Sequence, residues 1–272
     1  MTRPSPALPG DLADAVAAVD LGRLTGPILY FEQTGSTNDV AAALAAESDR
    51  AGAIVIADMQ TAGRGRRGHT WFSPAGAGLY VSLVLAPRQA RNQPEKATAL
   101  LTLMAGVALA EAVEQTTGLT PAIKWPNDLL VGRRKLAGIL AEGVQGGAPA
   151  TVRAVVLGYG LNISPAAYPP ELADRVTSLE SELGRAFDRA AVCAATLAAV
   201  ARRYDDLLDA RYDAILGAWR ARAPGAVGAR VAWDGPEGAH GGHTVGIDDD
   251  GALLVRTAAG VERIVAGEVR WE

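Results

Sequence analysis

The sequence predicts an α+β protein that ends in a small β-barrel. Segments with helical spacing of apolar residues mix irregularly with short apolar runs, several of which are consecutive and hairpin-like. A doubly wound parallel sheet would instead show regular strand–helix alternation. After Pro224 and Gly225 the chain carries only short strands separated by turn signals. We therefore expect an N-terminal extension over 1–27, a main domain over 28–224 and a barrel over 225–272.

The spacing of apolar residues places each element. It predicts helices over 12–21, 36–47, 94–117 and 188–222. Apolar runs of strand length predict strands over 30–33, 54–59, 79–85, 122–125, 129–131, 136–142 and 152–157. In the barrel we expect strands over 227–233, 243–247, 253–256 and 261–265. The run over 61–78 is rich in Gly and Arg and has no periodicity, so it predicts a loop.

Composition excludes several classes of protein. The 272 residues are 49% hydrophobic and 21% charged, which is typical of a globular chain and not of a disordered one. The apolar stretch over 97–112 falls short of the ~20 residues that span a bilayer, and the N-terminus does not resemble a secretory signal. We therefore expect a cytoplasmic protein with no membrane partner. The single cysteine, Cys193, excludes an intrachain disulfide framework and a multi-cysteine zinc site.

Two residue types are scarce, and their positions are therefore informative. The chain has 23 arginines but only three lysines, and only four asparagines. Lys and Arg differ in shape and hydration, so a Lys in an Arg-rich chain indicates a chemical choice. This observation directs attention to seven residues: Asn38, Asn92, Lys96, Lys124, Asn127, Lys135 and Asn162. The net charge of −4 argues against a dedicated nucleic-acid binder.

Two segments could bind a ligand, and each also has a plainer interpretation. Between Gly63 and Trp71, three arginines stand among glycines, a pattern that fits a mobile loop closing over an anion. The alternative is a solvated basic loop or an RNA contact, but Trp71 favours a nucleotide because an indole can stack on a base. Ser36 and Asp39 have the spacing of a capping box. The same helix start could bind a small polar group.

Two further segments are interpreted structurally. The Gly-Tyr-Gly-Leu-Asn string over 158–162 follows an apolar strand, and alone it is typical of a tight turn or a bulge. His240 and His243 lie in a Gly-rich stretch, and a lone histidine pair is poor evidence for a metal site. We interpret them as exposed loop residues and not as metal ligands.

Five strings, in order, resemble the motifs of the biotin protein ligases. They are Gly-Ser-Thr-Asn over 35–38, Gln-Thr-Ala-Gly-Arg-Gly-Arg-Arg-Gly over 60–68, Lys-Trp-Pro-Asn-Asp over 124–128, Arg-Lys-Leu-Ala-Gly-Ile-Leu over 134–140 and the string over 158–162. The similarity runs from about Tyr30 to Glu272. It implies a catalytic domain related to class II aminoacyl-tRNA synthetases, followed by an SH3-like barrel.

The resemblance also implies a two-step reaction. Biotin and ATP form biotinyl-5′-AMP, and a lysine of a biotin carboxyl carrier protein or domain, part of acetyl-CoA carboxylase or a related carboxylase, then takes the biotin. Repressor members of the family carry an N-terminal winged-helix domain. Residues 1–27 have no room for one, so we expect the monofunctional type, which binds no DNA. Whether the protein is a monomer or a homodimer stays open.

The family motifs assign roles to individual residues. The resemblance implies that biotin is bound by Ser36, Thr37, Asn38, Gln60, Arg64, Gly65, Arg66 and Lys135. It places ATP and the adenylate against Arg66, Arg67, Trp71, Asn127 and Asn162. The catalytic candidates are Lys135, Arg64 and Asp128, with Asp128 as the proton acceptor for the attacking amine. Mg²⁺ is expected to share the phosphate charge, with ligands unassigned. His69 departs from the family pattern, which commonly has Arg there.

Electrostatics supports this assignment. The biotin carboxylate must approach the α-phosphate of ATP, both are anions, and the assigned cations lower their repulsion.

A lipoate or octanoate ligase, which shares the catalytic fold, is the second hypothesis, although Ser36 and Gln60 suit a ureido ring better than an acyl chain. A regulator that binds RNA or DNA through the Arg-Gly loop is the third. We expect the barrel to recognise the carrier.

Overall fold

The computed structural model describes residues 3–47, 50–145, 152–166, 168–235 and 238–272. The helices are α1 (Gly10–Ala17), α2 (Thr37–Glu47), α3 (Pro94–Thr117), α4 (Pro170–Ala173), α5 (Leu179–Leu183), α6 (Arg189–Leu208) and α7 (Tyr212–Arg222). The strands are β1 (Ile28–Thr34), β2 (Ile54–Gln60), β3 (Gly78–Leu85), β4 (Ala122–Lys124), β5 (Asp128–Val131), β6 (Arg134–Gln145), β7 (Val152–Asn162), β8 (Val227–Gly235), β9 (Gly238–Ile247), β10 (Leu253–Thr257), β11 (Gly260–Ile264) and β12 (Val269–Trp271).

Two sheets organise these strands. The larger has the order β1-β2-β3-β7-β6-β5-β4. In it β1 and β2 are parallel, and the remaining neighbours are antiparallel. The smaller sheet has the order β11-β10-β9-β8-β12 and is antiparallel throughout. The predicted α+β class with a C-terminal SH3-like barrel is confirmed.

Helices cover the large sheet unequally. On one face, α3 and α6 form the main core with the sheet. The helix α3 is long and apolar enough to cross a membrane, but 72% of its apolar window is buried, as in the core helix of a soluble protein. On the other face, α2 packs small side chains such as Ala41 and Ala45 against Val55 and Val84. The part of that face over β5, β6 and β7 is therefore left open for a cleft.

Three predictions about local structure are wrong. The helix predicted over 188–222 is interrupted between α6 and α7, where Ala210 adopts a left-handed conformation with φ of 59°. The string over 158–162 forms no turn, because β7 continues through it. His240 and His243 lie on β9, paired with Trp233 and Arg230 of β8, and are not loop residues. The short helices α4 and α5 and the strand β12 were not predicted.

Cys193 lies in α6 inside the main core. Burial raises the pKa of its thiol to about 12, so the thiolate is scarce at neutral pH. A fully buried cysteine in this state is a packing residue.

The N-terminal extension packs on the main domain. Leu12 and Val16 of α1, together with Leu24, are buried in the main core, and the Ser5 amide donates to the Tyr30 carbonyl at 2.8 Å. A buried aliphatic side chain contributes about 1.5–3 kcal/mol. We predict that a chain starting at Ile28 keeps, once folded, the ligation activity that the family resemblance implies, but loses several kcal/mol of unfolding free energy. Urea unfolding and carrier labelling measure the two quantities, and a folded but inactive truncation would contradict the prediction.

The barrel contacts the main domain through a tryptophan. Trp125, which follows β4, is buried and donates its indole N–H to the Gly251 carbonyl at 2.9 Å. Gly251 lies in the turn before β10 with φ of 82°, and a Cβ there would be 2.9 Å from Leu100 of α3. The turn therefore needs glycine both for its backbone conformation and for its close approach to α3.

Candidate active site

An open cleft of about 630 Å³ lies over the uncovered part of the large sheet. Its walls come from the start of α2, the Gly-rich loop, the β5–β6 hairpin and the segment over 168–176. The barrel adds Gly267, Glu268, Val269 and Trp271. Every site residue predicted from the sequence lines this cleft: Ser36, Thr37, Asn38, Gln60, Arg64, Gly65, Arg66, Arg67, Trp71, Asn127, Asp128, Lys135 and Asn162.

The floor of the cleft is a pair of glycines. Gly138 of β6 and Gly160 of β7 are register partners. A Cβ on Gly160 would lie 2.2 Å from Cε2 of Trp71, and one on Gly138 would lie 2.9 Å from Cζ3 of the same ring. The indole therefore rests directly on the sheet, where only glycine leaves room. Its N–H has no hydrogen-bond partner among the described residues.

One end of the cleft presents neutral hydrogen-bonding groups. The Thr37 amide donates to Oε1 of Gln60 at 2.8 Å, and Nε2 of Gln60 donates to Oγ of Ser73 at 2.9 Å. These bonds orient the Gln60 amide. Asn38 lies against β7, since a Cβ on Gly158 would be 1.9 Å from its Oδ1. Ser36 is buried directly before the first residue of α2, and the capping box stays a prediction.

The other end of the cleft is cationic. Nζ of Lys135 lies 2.7 Å from Oδ1 of Asp128, an ion pair whose angles fall outside hydrogen-bond geometry. The same ammonium lies 5.4 Å from the centroid of the Trp71 ring. The backbone of Lys135 is fixed on both sides, because its N–H donates to the Arg175 carbonyl and its carbonyl accepts from the Thr177 amide. Burial lowers the pKa of nearby Lys124, and the charge of Asp128 opposes this shift.

The three arginines of the Gly-rich loop have different surroundings. Arg64 pairs with Glu142, and its Nη2 lies 3.2 Å from Oδ1 of Asp39, so it lies at the neutral end. Arg66 donates to Oδ1 of Asn127 at 3.2 Å. Burial lowers the pKa of Arg66, but a guanidinium stays charged at neutral pH. Arg67 is exposed and adopts a left-handed conformation with φ of 55°.

The remaining predicted residues complete the site. The amide of Gly65 donates to the carbonyl of His69 at 2.7 Å, which closes the tip of the loop. Asn127 donates from Nδ2 to the Ile139 carbonyl at 2.9 Å, tying it to β6. Buried Asn162 donates from Nδ2 to the Thr177 carbonyl at 2.9 Å. His69, the departure from the family pattern, is exposed at the edge of the cleft.

Comparison with known proteins identifies the family of the chain. The profile of the biotin/lipoate A/B protein ligase family matches residues 30–162, and that of the biotin protein ligase C terminal domain matches residues 239–270. The bifunctional ligase/repressor BirA of Bacillus subtilis is 36% identical over 244 residues, which cover 89% of this chain and 73% of that protein. The chain belongs to the biotin protein ligase family.

This biotin protein ligase family member also matches two further relatives over nearly their full lengths. The biotin--[acetyl-CoA-carboxylase] ligase of Paracoccus denitrificans is 38% identical over 248 residues, with 87% of this chain and 97% of that protein covered. The biotin protein ligase of Aquifex aeolicus in complex with biotin and ATP superposes with a TM-score of 0.76 at 28% identity, covering 90% of this chain and 98% of that chain. The family resemblance inferred from the sequence is confirmed.

Sequence reasoning missed the polar residues that support the site of this biotin protein ligase family member. Glu142 binds Arg64 and Asn38, Ser73 binds Gln60, and Ser82 binds Asn38. Glu268 reaches the cleft from the barrel. The one sequence signal that could have revealed Glu142 was the two-residue period of a strand. Gly138, Leu140 and Glu142 are every second residue of β6, so they lie on the same face of the sheet.

Proposed function

We propose that this chain is an ATP-dependent biotin–protein ligase that forms biotinyl-5′-AMP and transfers biotin to a lysine of a carboxylase's biotin carboxyl carrier protein or domain. The observation that carries the proposal is the polarity of the cleft. Neutral donors and acceptors around Thr37 and Gln60 occupy one end, and Lys135, Lys124 and Arg66 supply cations at the other. Such a cleft suits a ligand with a neutral polar head and a carboxylate tail, beside a polyphosphate.

The neutral end would hold the ureido ring. A cyclic urea has two N–H donors and one carbonyl acceptor, so it needs both kinds of partner. Ser36, Thr37, Asn38 and Gln60 offer hydroxyls and side-chain amides, which can do either. Gly65 and Arg66 of the loop would cover the ring from above. Arg64 belongs to this end by its contacts with Glu142 and Asp39, so we place it with biotin recognition.

The cationic end would perform the first step. The biotin carboxylate attacks the α-phosphorus of ATP, a new oxygen–phosphorus bond forms and pyrophosphate leaves. Lys135 would contact the carboxylate and the α-phosphoryl oxygens where their charges meet, and Arg66 and Arg67 would take the phosphates. Trp71, Asn127 and Asn162 would hold the adenosine part.

Magnesium would enter with the nucleotide. The described residues contain no group of three or more His, Cys, Asp or Glu side chains suited to a metal. Mg²⁺ commonly binds through substrate phosphates and one or two carboxylates, and Asp128, Asp174 and Glu268 line the cleft. When bound, the ion shares the negative charge of the phosphates.

The second step needs a base near the intermediate. The lysine amine of the carrier attacks the carbonyl carbon of the mixed anhydride, the amide bond forms and AMP leaves. Asp128 would take the proton that the amine loses, and it lies beside Lys135, with 2.7 Å between Oδ1 and Nζ. We propose that the parts over 1–27, 28–224 and 225–272 are the extension, the catalytic domain and the barrel. We also propose a cytoplasmic protein that binds neither DNA nor membrane.

Incubation with biotin, ATP, Mg²⁺ and an apo carrier domain, followed by intact mass measurement, tests the proposal. We expect one biotinyl adduct on the carrier, and parallel reactions with lipoate and octanoate should give none. Labelling by lipoate alone would favour the second hypothesis. As a further comparison, the protein is titrated with nucleic acid at physiological salt. Tight binding would favour the third hypothesis, a regulator that binds RNA or DNA.

An exposed valine near the cleft marks where the carrier would dock. Val265 follows β11, is 66% exposed and lies two residues before Gly267 of the cleft wall. We predict that Val265→Ser raises the KM for the carrier severalfold without changing biotinyl-AMP synthesis. Val227→Ser is the matched control, because Val227 is 68% exposed on β8 and does not line the cleft. Equal carrier kinetics in both variants would contradict this docking position.

A further inference from the structure

Beneath the neutral end of the cleft lies a second layer of polar side chains. Glu142 and Ser82 do not line the cleft, yet each bonds to a residue that does. Glu142 lies on β6, and Ser82 lies on β3 with its side chain fully buried. The Glu142 side chain is 36% exposed, whereas a buried polar group such as the Ser82 hydroxyl is stable only when its hydrogen bonds are satisfied, so Ser82 fixes the orientation of the groups above it.

Glu142 contacts two parts of the site at once. Its Oε2 accepts from Nδ2 of Asn38 at 2.8 Å, and the same oxygen accepts from Nη2 of Arg64. Asn38 belongs to α2, whereas Arg64 belongs to the Gly-rich loop. One carboxylate oxygen therefore joins the helix start and the loop. Asp39 also lies 3.2 Å from Arg64, but no described hydrogen bond joins it to Asn38.

Ser82 fixes the other half of the Asn38 amide. Its Oγ lies 2.6 Å from Oδ1 of Asn38 and 2.8 Å from Oγ1 of Thr37. Oδ1 of Asn38 can only accept, so Ser82 donates to it, which leaves Nδ2 to face Glu142. The acceptor beyond Nδ2 must then be the Glu142 carboxylate. The orientation of Asn38 and the position of Arg64 thus depend on the same group.

We infer that Glu142 is a positioning residue that couples biotin recognition to the placement of the Gly-rich loop. The inference rests on the proposed function, since it names a residue that supports the biotin end of that site. The negative charge is required because one of the two donors is a guanidinium. Glutamine at this position can keep one oxygen for both donors, but it removes the charge that pairs with Arg64. Hydrogen bonds to charged groups are stronger than neutral ones, so the loop should lose its anchor.

The test compares four proteins: the parent, Glu142→Gln, Arg64→Ala and the double variant. Each is loaded with biotin and ATP, stripped of free ligand, and followed for the release of biotinyl-5′-AMP. We expect release to quicken about tenfold in Glu142→Gln. If Glu142 acts through Arg64, the double variant releases the intermediate no faster than Arg64→Ala alone. Multiplied effects in the double variant, or parental release from Glu142→Gln, would overturn the inference.

Two controls separate positioning from folding. Asp39→Asn removes the other carboxylate partner of Arg64 without touching Asn38, and its release rate should change less than about threefold. Thermal unfolding of every variant is measured alongside. If Glu142→Gln does not fold, Arg64→Gln tests the pair from the loop side and should release the intermediate about tenfold faster, with parental release again overturning the inference. A parent that forms no biotinyl-5′-AMP would instead refute the proposed function.

Discussion

Replacing Lys135 with alanine should slow biotinyl-5′-AMP formation about 10²–10³-fold, because one charge contact that tightens in the transition state is lost. The loss also leaves the Asp128 carboxylate without its partner at 2.7 Å, facing the phosphates. Biotin affinity should change far less, since the proposed binding site of the ureido ring is at the other end of the cleft. Pyrophosphate release in single turnover and biotin titration measure the two effects.

Lys96→Ala is the matched control for this variant. Lys96 is another of the three lysines, and its ammonium lies 5.4 Å from the centroid of the Tyr212 ring, outside the cleft. It should leave both quantities unchanged. Pyrophosphate release near the parental rate in Lys135→Ala would remove Lys135 from the chemical step. A parallel loss of biotin affinity would indicate that Lys135 binds the ground state as strongly as the transition state.

Replacing Gly160 with alanine should raise the KM for ATP more than about tenfold, because the new methyl group displaces Trp71. The added Cβ would lie 2.2 Å from the indole, whereas carbon atoms in contact sit about 3.5–4 Å apart, so the ring must move by more than about 1 Å. Trp71 is only partly buried and can leave the floor without unfolding the core. Steady-state kinetics with varied ATP and calorimetric biotin titration check the expectation.

Gly217→Ala provides the comparison for Gly160→Ala. Gly217 lies in α7 with no atom within 4 Å of an added Cβ, so alanine there should leave the kinetics unchanged and stabilise the helix by up to about 1 kcal/mol. An unaltered KM for ATP in Gly160→Ala would show that the position of Trp71 does not govern nucleotide binding.

Local sequence patterns correctly predicted helices and strands whose form depends on residues close in sequence. They failed where the form depends on contacts with distant residues. The helix α3 has the predicted bounds because Pro94 suits a first helical position and Gly118, with φ of 77°, ends the helix in a left-handed conformation. The break at Ala210 was missed because the apolar spacing continues on both sides of it. The strand over 158–162 was missed because its glycines leave space for the side chains of Asn38 and Trp71. Those two residues are distant in sequence, so no local pattern reveals the contact.

The site residues divide in the same way, into those that the sequence revealed and those that depend on the fold. Scarcity of lysine and asparagine found Lys135, Asn38 and Asn127, whose side chains line the cleft. It could not find Glu142, because glutamate is common in this chain and its role depends on the register of β6 beside β7 and α2. Arg64 was predicted, but its partners were not, and those partners place it at the end of the cleft for which we propose biotin recognition.

The hydrogen bond from Trp125 to Gly251 limits how this protein can be re-engineered. Grafting the barrel of a relative, to redirect the enzyme to another carrier, would separate the indole from the turn that accepts its N–H. Trp125 stands between Lys124 and Asn127 in the sequence, and all three line the cleft, so a mismatched graft would disturb the cleft as well as the barrel. A working chimera must therefore exchange the turn around Gly251 and the Trp125 segment together, or keep both.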